Sequence, residues 1–340
     1  MFLKISFINF LVGILSFPGF SQKLNANLIY SEKMSSRALF LDGNRIWFGM
    51  DKGRYGYYDE NIDTTHLFKS SYMSDKTEIR SIAGNEEFIF LLSVGNPATL
   101  TRVNKKTLKE ELVYSEVSEK VFYDSMHFKD NQTGFAMGDP TDECLSVLKT
   151  KDFGYHWEKL PCSQLPNVVS GEAAFAASNT NLKVIGSKII LASGGKKSRV
   201  FISDNEGNTF SDFETPLIQG KTMTGIFTMD FYNEKIGIIA GGDYEIPEEN
   251  KGNLALTKDG GKTWKLISEG KGPGYISCIQ FIPNSKGKKL ISVGATGVYF
   301  SKNTGKTWKK LSNIQNIYSI KFKGKNTFYG AGNSIWLFNL

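Results

Sequence analysis

The side chains able to do chemistry in this chain are few and scattered. Its three histidines, His66, His127 and His156, stand far apart, and neither a Ser-His-Asp grouping nor a metal-ligand spacing can be assembled around them. No Gly-x-Gly-x-x-Gly joins a strand to a helix, no cysteines stand at Cys-x-x-Cys spacing and no haem motif occurs, so the expected cofactor and metal content is none. Asp139 and Asp243 are the carboxylates that could serve as a glycosidase pair, at a separation the sequence leaves open.

Three cysteines, Cys144, Cys162 and Cys278, are too few for a disulfide framework. If CLSVLKT and WEKLPC are the arms of a hairpin turning at 152–155, Cys144 and Cys162 lie nearly opposite each other. An exported protein could oxidise them, and two half-buried thiols fit the sequence equally well. Export is itself expected. The opening MFLKISFINFLVGILSFPGFSQKL places one lysine before an apolar run from Ile5 to Leu15, which reads as a signal peptide over residues 1–21 and is too short for a bilayer span of ~20 residues. No transmembrane segment is expected after its removal.

Net charge is +7, from 41 basic and 34 acidic residues. The lysines are spread singly along strand-like stretches such as SKNTGKTWKKL, and only six arginines occur, so a nucleic-acid groove is not expected. No linker divides residues 22–340, which read as one domain.

Stepping from side chains to the elements that must carry them, a repeat emerges. The pattern Ser/Thr-x-Asp-x-Gly-x-Thr-Trp is complete at Thr257–Trp264, with Asp259, Gly261 and Trp264 at its key positions. It recurs around Asp152, Gly154 and Trp157, around Asn205, Gly207 and Phe210, and around Asn303, Gly305 and Trp308. An Asp or Asn that accepts turn N–H groups, a positive-φ glycine and an aromatic folded beneath describe a hairpin staple rather than a catalytic site. A small-residue strand ending in glycine also recurs seven times, at Gly49, Gly95, Gly138, Gly194, Gly241, Gly294 and Gly332. Intervals of about 45 residues built from short strands indicate blades. The last repeat lacks a fourth strand, and NANLIYSEK near the N-terminus resembles the fourth strands KLISE and KKLSN. The expected fold is therefore an all-β, seven-bladed β-propeller of four-stranded antiparallel blades, closed by the N-terminal strand completing the last blade.

The hairpins resemble Asp-box (BNR) repeats. The phrases MGDPTDE (137–143), GEAAFAASNT (171–180) and GGDYEIPEENKGN (241–253) are similar to the YCF48-like family, named for photosystem II stability and assembly factors and including exported bacterial relatives. That resemblance implies a protein-binding scaffold with another protein or complex as partner. Asp-box propellers also include sialidases, whose early Arg-Ile-Pro signature is absent here, since Arg37 precedes Ala38 and Leu39.

In a propeller the inner strands begin at one face, and seven such starts are expected: SSRALFL, EIRSIAG, YDSMHF, GEAAFAA, TGIFTMDF, GYISCIQF and IYSIKF. They would place Arg37, Arg80, Asp124, Glu172 and Tyr275 at the channel mouth, with Asn96, Asp139, Asp243 and Tyr244 on adjoining loops. These residues form a binding site, or else Arg37 and Arg80 pair with Asp124 and Glu172 to tie blades together. The expected function is an exported, periplasmic or extracellular, non-catalytic scaffold. The competing reading, a carbohydrate-binding protein or hydrolase, requires exposed rings at Tyr244 and Tyr275.

Overall fold

The computed structural model describes residues 24–340, so the expected signal peptide lies outside the described residues. The chain forms seven antiparallel sheets arranged as a propeller. Blades 1 to 6 span 38–69, 79–116, 123–159, 182–214, 224–266 and 278–312, and blade 7 spans 317–339. Asn25–Tyr30 pairs antiparallel with Ile335–Asn339, in the register Asn25↔Asn339 to Leu28↔Trp336, and supplies the fourth strand of blade 7. The only helical element among the described residues is one 3-10 turn at Cys162–Gln164, and none of their helices is long and apolar enough to cross a membrane.

The core is distributed between blades. Each strand alternates its side chains between two faces, and both faces of a blade are covered by neighbouring blades, so the second strands read as unbroken apolar runs; Phe88–Ser93 is buried throughout. Seven apolar clusters fill the blade junctions, and a smaller eighth joins Ala177, Phe227 and Tyr275. Phe90 and Leu100 of blade 2 meet Tyr123 and Trp157 of blade 3, while Ile46 and Phe48 of blade 1 meet Tyr329 and Ile335 of blade 7 to close the ring. Each large buried side chain contributes about 1.5–3 kcal/mol.

The four Ser/Thr-x-Asp/Asn-x-Gly turns join third to fourth strands in blades 3 to 6. In the turn at Asp259, Oδ1 accepts the Thr263 N–H at 2.9 Å and the Thr257 hydroxyl at 2.8 Å, and the Thr257 Oγ1 accepts the Gly261 N–H at 2.9 Å. Trp264 Nε1 donates back to the Gly261 carbonyl at 2.8 Å. These turns also lock blades together, because each glycine abuts the preceding blade. A Cβ on Gly154 would collide with the Phe90 ring, and one on Gly207 with the Phe135 ring. Cys144 and Cys162 form a disulfide with a Cα–Cα distance of 5.5 Å, and Cys278 is free and buried.

Blade 4 departs from expectation. GEAAFAA does not form its inner strand; Leu182–Ile185 does. LKVI carries β-branched residues and alternates buried and half-buried positions, whereas GEAAFAA offers mostly small side chains that pack poorly on a pleated surface. Only Glu172–Ala173 pairs, with Gly194–Gly195, which in turn joins blade 5 at Gly225. The chain from 174 to 181 is thereby released into the channel.

A substitution pair tests the turn's role between blades. Gly154→Ala meets both the Phe90 ring and φ +80, and is expected to cost about 2–4 kcal/mol. Gly43→Ala has φ +60 in open space, and should cost only about 1–2 kcal/mol. Urea unfolding of both variants measures the difference; equal losses would remove the turn from the blade junction.

Candidate functional site

The face where the inner strands begin is shaped by β-bulges. The ladder slips between Ile79 and Ser81, between Tyr123 and Ser125, between Ile226 and Thr228 and between Ile317 and Ser319. The unpaired residues are Arg80, Asp124, Phe227 and Tyr318, in blades 2, 3, 5 and 7. A bulge re-aims a side chain out of the ladder, and here it does so at the same height in four blades. In three of them the strand-ending glycine faces the bulged backbone. A Cβ at Gly138, Gly241 or Gly332 would collide with the carbonyl of Phe122, Gly225 or Asn316. In these blades the glycine leaves room for the neighbouring inner-strand carbonyl.

Three chemical sectors line this mouth. In the cationic sector, the Arg37 guanidinium lies 4.0 Å above the Tyr318 ring, with its Nε buried and unbonded. Arg80 Nε donates to Glu78 at 2.7 Å. Stacking on a tyrosine holds a guanidinium without neutralising it, which leaves Arg37 able to pair with an incoming anion.

The carboxyl sector is Asp124 with Asp139. Asp124 is fully buried and neither of its oxygens accepts a well-formed hydrogen bond, while the nearby Ala176 N–H favours its ionised form. Burial, reinforced by the Asp139 charge, pushes the Asp124 carboxyl well above the usual range, while Arg80 pulls the other way. Burial likewise pushes Asp139 up to about 6, although its Oδ1 accepts the Ala174 N–H at 2.8 Å. Two close carboxyls in a dry site share protons rather than both ionising.

The aromatic sector belongs to blades 4 to 6. Phe175 stacks on Phe227 at 3.9 Å between centroids, Tyr275 meets Phe227 edge-on at 4.8 Å, and Tyr244 meets Tyr275 at 5.2 Å. Tyr275 is 4% exposed and Tyr244 47%, so one ring of the expected pair is available as a platform.

Several expected placements are corrected. Glu172 is not a ligand of the mouth: it is buried in a bidentate pair with Arg199, at 2.9 and 2.6 Å, and also accepts the Ser193 hydroxyl. Arg199 adds Asp212 and the Asn167 carbonyl, so this cluster is fully satisfied. This ion pair lies within blade 4 and the segment leading into it, and Arg37 and Arg80 take no part in it. Asp243 is held by Lys221 at 3.0 Å and by the Glu245 N–H, whereas the charge of Asp139 acts on Asp124. Asn96 stands exposed on the loop after Phe88–Ser93.

Beneath the mouth the channel is blocked. Ser178 donates to the Ser277 carbonyl at 2.6 Å, and its own carbonyl accepts the Ser319 hydroxyl at 3.1 Å. Asn179 donates to the Ile82 carbonyl at 2.7 Å and accepts the Met126 N–H at 2.8 Å. Thr180 donates to Thr228 at 2.7 Å. Three consecutive residues of the segment leading into blade 4 thus bridge blades 2, 3, 5, 6 and 7, and divide the channel into an upper mouth and a lower chamber.

No family model matches the chain, and no curated protein matches it. Solved structures do. The chain is similar to U3-55K, with a TM-score of 0.67 at 13% identity over 93% of this chain and 98% of that one. It is similar to YCF48 bound to D1 peptide, with a TM-score of 0.67 at 12% identity over 94% and 96%, and to YCF48 from Cyanidioschyzon merolae, with a TM-score of 0.64 at 11% identity over 94% and 98%. At these identities the likeness shows the fold, and the resemblance read from sequence phrases holds at the level of the propeller.

The carboxyl pair makes stability depend on pH. Both folded pKa values are raised, so the folded protein holds protons that the unfolded chain releases near pH 4. The pair's favourable contribution is present below that point and is lost as pH rises through the folded pKa of Asp139, about 6, and through the strongly raised one of Asp124. Asp124→Asn is expected to raise Tm at pH 7–8 by roughly 2–6 °C and to flatten the pH 4–6 window. Thermal unfolding across pH 4–8 checks this; a lower Tm at pH 8 would contradict it.

Proposed function

We propose that this chain is an exported YCF48-like scaffold that binds an extended segment of a partner protein across the upper mouth of its ring. The observation that carries the reading is the convergence of bulge residues: Arg80, Asp124, Phe227 and Tyr318 from four blades, joined by Arg37 and Tyr275. A segment bearing a carboxylate next to an apolar or aromatic side chain meets Arg37 and Arg80 on one side and the Phe227–Tyr244 rings on the other. A rigid ring adds little ordering cost to such binding. The similarity to YCF48 bound to D1 peptide supports a peptide-binding role. The apolar N-terminal run and the Cys144–Cys162 disulfide support an oxidising, periplasmic or extracellular setting.

Exposed Tyr244 favours a second reading, a carbohydrate site on the same face. Burial of Tyr275 and the engagement of Asp243 with Lys221 weigh against it.

Affinity capture from the envelope fraction of the native host tests the scaffold reading, with wild type compared against an Arg37→Ala/Arg80→Ala variant of unchanged Tm. A partner held by wild type and lost by the variant is the expected result. Capture of the same partner by both proteins would move the site elsewhere, and glycan-array binding abolished by Tyr244→Ala would favour the carbohydrate reading instead.

A further inference from the structure

The lower chamber, on the far side of the Ser178–Thr180 bridge, has a different chemistry. Its wall repeats one strand position: His127, Asp230, Gln280 and Lys321 each precede the phenylalanine that ends an inner strand, at Phe128, Phe231, Phe281 and Phe322. Their ladder partners, Phe135, Ile238, Ile291 and Tyr329, are likewise equivalent. Side chains at this position face the channel axis. Together with Lys183 they line a cavity of ≈ 190 Å³ that Asn179 and Thr180 of the bridge also face, and one side of which is apolar, with Leu41, Ile82 and Met229. An outer cleft of ≈ 400 Å³ shares Lys183, Asp230, Gln280 and Lys321, and so provides an entrance.

The donors in this chamber outnumber the acceptors. Asp230 is its acid, and both oxygens are engaged: Oδ1 with Lys183 at 2.7 Å and Oδ2 with the Phe281 N–H at 2.8 Å. Lys321 makes no ion pair and donates no hydrogen bond among the described residues. Burial lowers its pKa, with Lys183 adding to the effect and the more distant charge of Asp230 opposing it. His127 Nδ1 accepts the Val184 N–H at 3.2 Å, so the neutral ring carries its proton on Nε2 as a free donor. Burial holds its pKa well below the usual value. The chamber therefore contains one uncompensated positive charge, an imidazole donor and an amide beside an apolar wall. An isolated ammonium in such surroundings is costly unless an anion joins it.

We propose that the lower chamber binds a small organic carboxylate, with its carboxylate between Lys321 and His127 Nε2 and its short apolar chain against Leu41, Ile82 and Met229. Phosphate fits less well, since it leaves that apolar wall uncovered. The site is independent of the upper mouth, from which the Ser178–Thr180 bridge separates it.

Isothermal titration of the full chain with hexanoate tests the proposal, with 1-hexanol and inorganic phosphate as parallel probes. Expected is saturable hexanoate binding at millimolar concentration or below, no binding of hexanol, and weakening by about 10-fold or more in Lys321→Met, the loss of a charge-assisted hydrogen bond. Lys321→Arg should retain most of the affinity, and Arg37→Ala/Arg80→Ala should retain all of it. If Lys321→Met does not fold, acetic anhydride footprinting of wild type replaces it: hexanoate should protect Lys321 from acylation. Absence of hexanoate binding, equal binding by Lys321→Met, unprotected Lys321, or a preference for phosphate or hexanol would each overturn the proposal.

Discussion

The pairing of Asn25–Tyr30 with Ile335–Asn339 governs this molecule. Without it, blade 7 exposes the backbone of Ile335–Asn339 as an open edge, and the junctions on either side lose Leu24, Ala26, Ile29 and Tyr30 from their apolar clusters. Loop-closure entropy grows slowly with length, so a pairing of chain ends across the whole ring is affordable once seven apolar junctions assist it. Every functional feature depends on this closure, because both ends of the channel are assembled from single residues contributed by different blades.

Within the closed ring, the upper mouth is where local rules are broken. Bulges at four inner strands leave the ladder, and Asp124 and the Arg37 Nε sit buried without partners. Other buried charges in the fold are handled differently: Glu172 and Arg199 satisfy each other and recruit Ser193, Asp212 and Asn167. Among the described residues Asp124 is the carboxylate whose buried oxygens lack a partner, and a buried acid left unsatisfied at a concave surface marks a place where interaction with something else has been favoured over internal stability.

The Ser178–Thr180 bridge gives the channel two chambers rather than one passage. Its small polar side chains suit this position: they are short enough to fit at the axis, and they supply the donors and acceptors that an irregular buried backbone must find. Above it stand arginines, carboxyls and stacked rings; below it stand lysines, a histidine and aliphatic walls. The two ends of the channel therefore differ in chemistry.

Fold was legible in the sequence because its signals are local. The turn pattern around Asp152, Asn205, Asp259 and Asn303 and the periodic glycines follow from backbone geometry, and they repeat often enough to count blades. Part of the site was legible for the same reason, since Arg37, Arg80, Asp124 and Tyr275 lie at recognisable inner-strand starts. Phe175, Phe227, Tyr318 and the ring of His127, Asp230, Gln280 and Lys321 were missed, although aligning the inner strands on their terminal phenylalanines would have grouped the last four. Pairing, by contrast, emerged only on folding: Glu172 belongs to Arg199, the Asp139 charge acts on Asp124, and GEAAFAASNT leaves its blade to cross the channel. Those outcomes depend on which blades face one another across the axis, a non-local relation that no stretch of the chain encodes by itself.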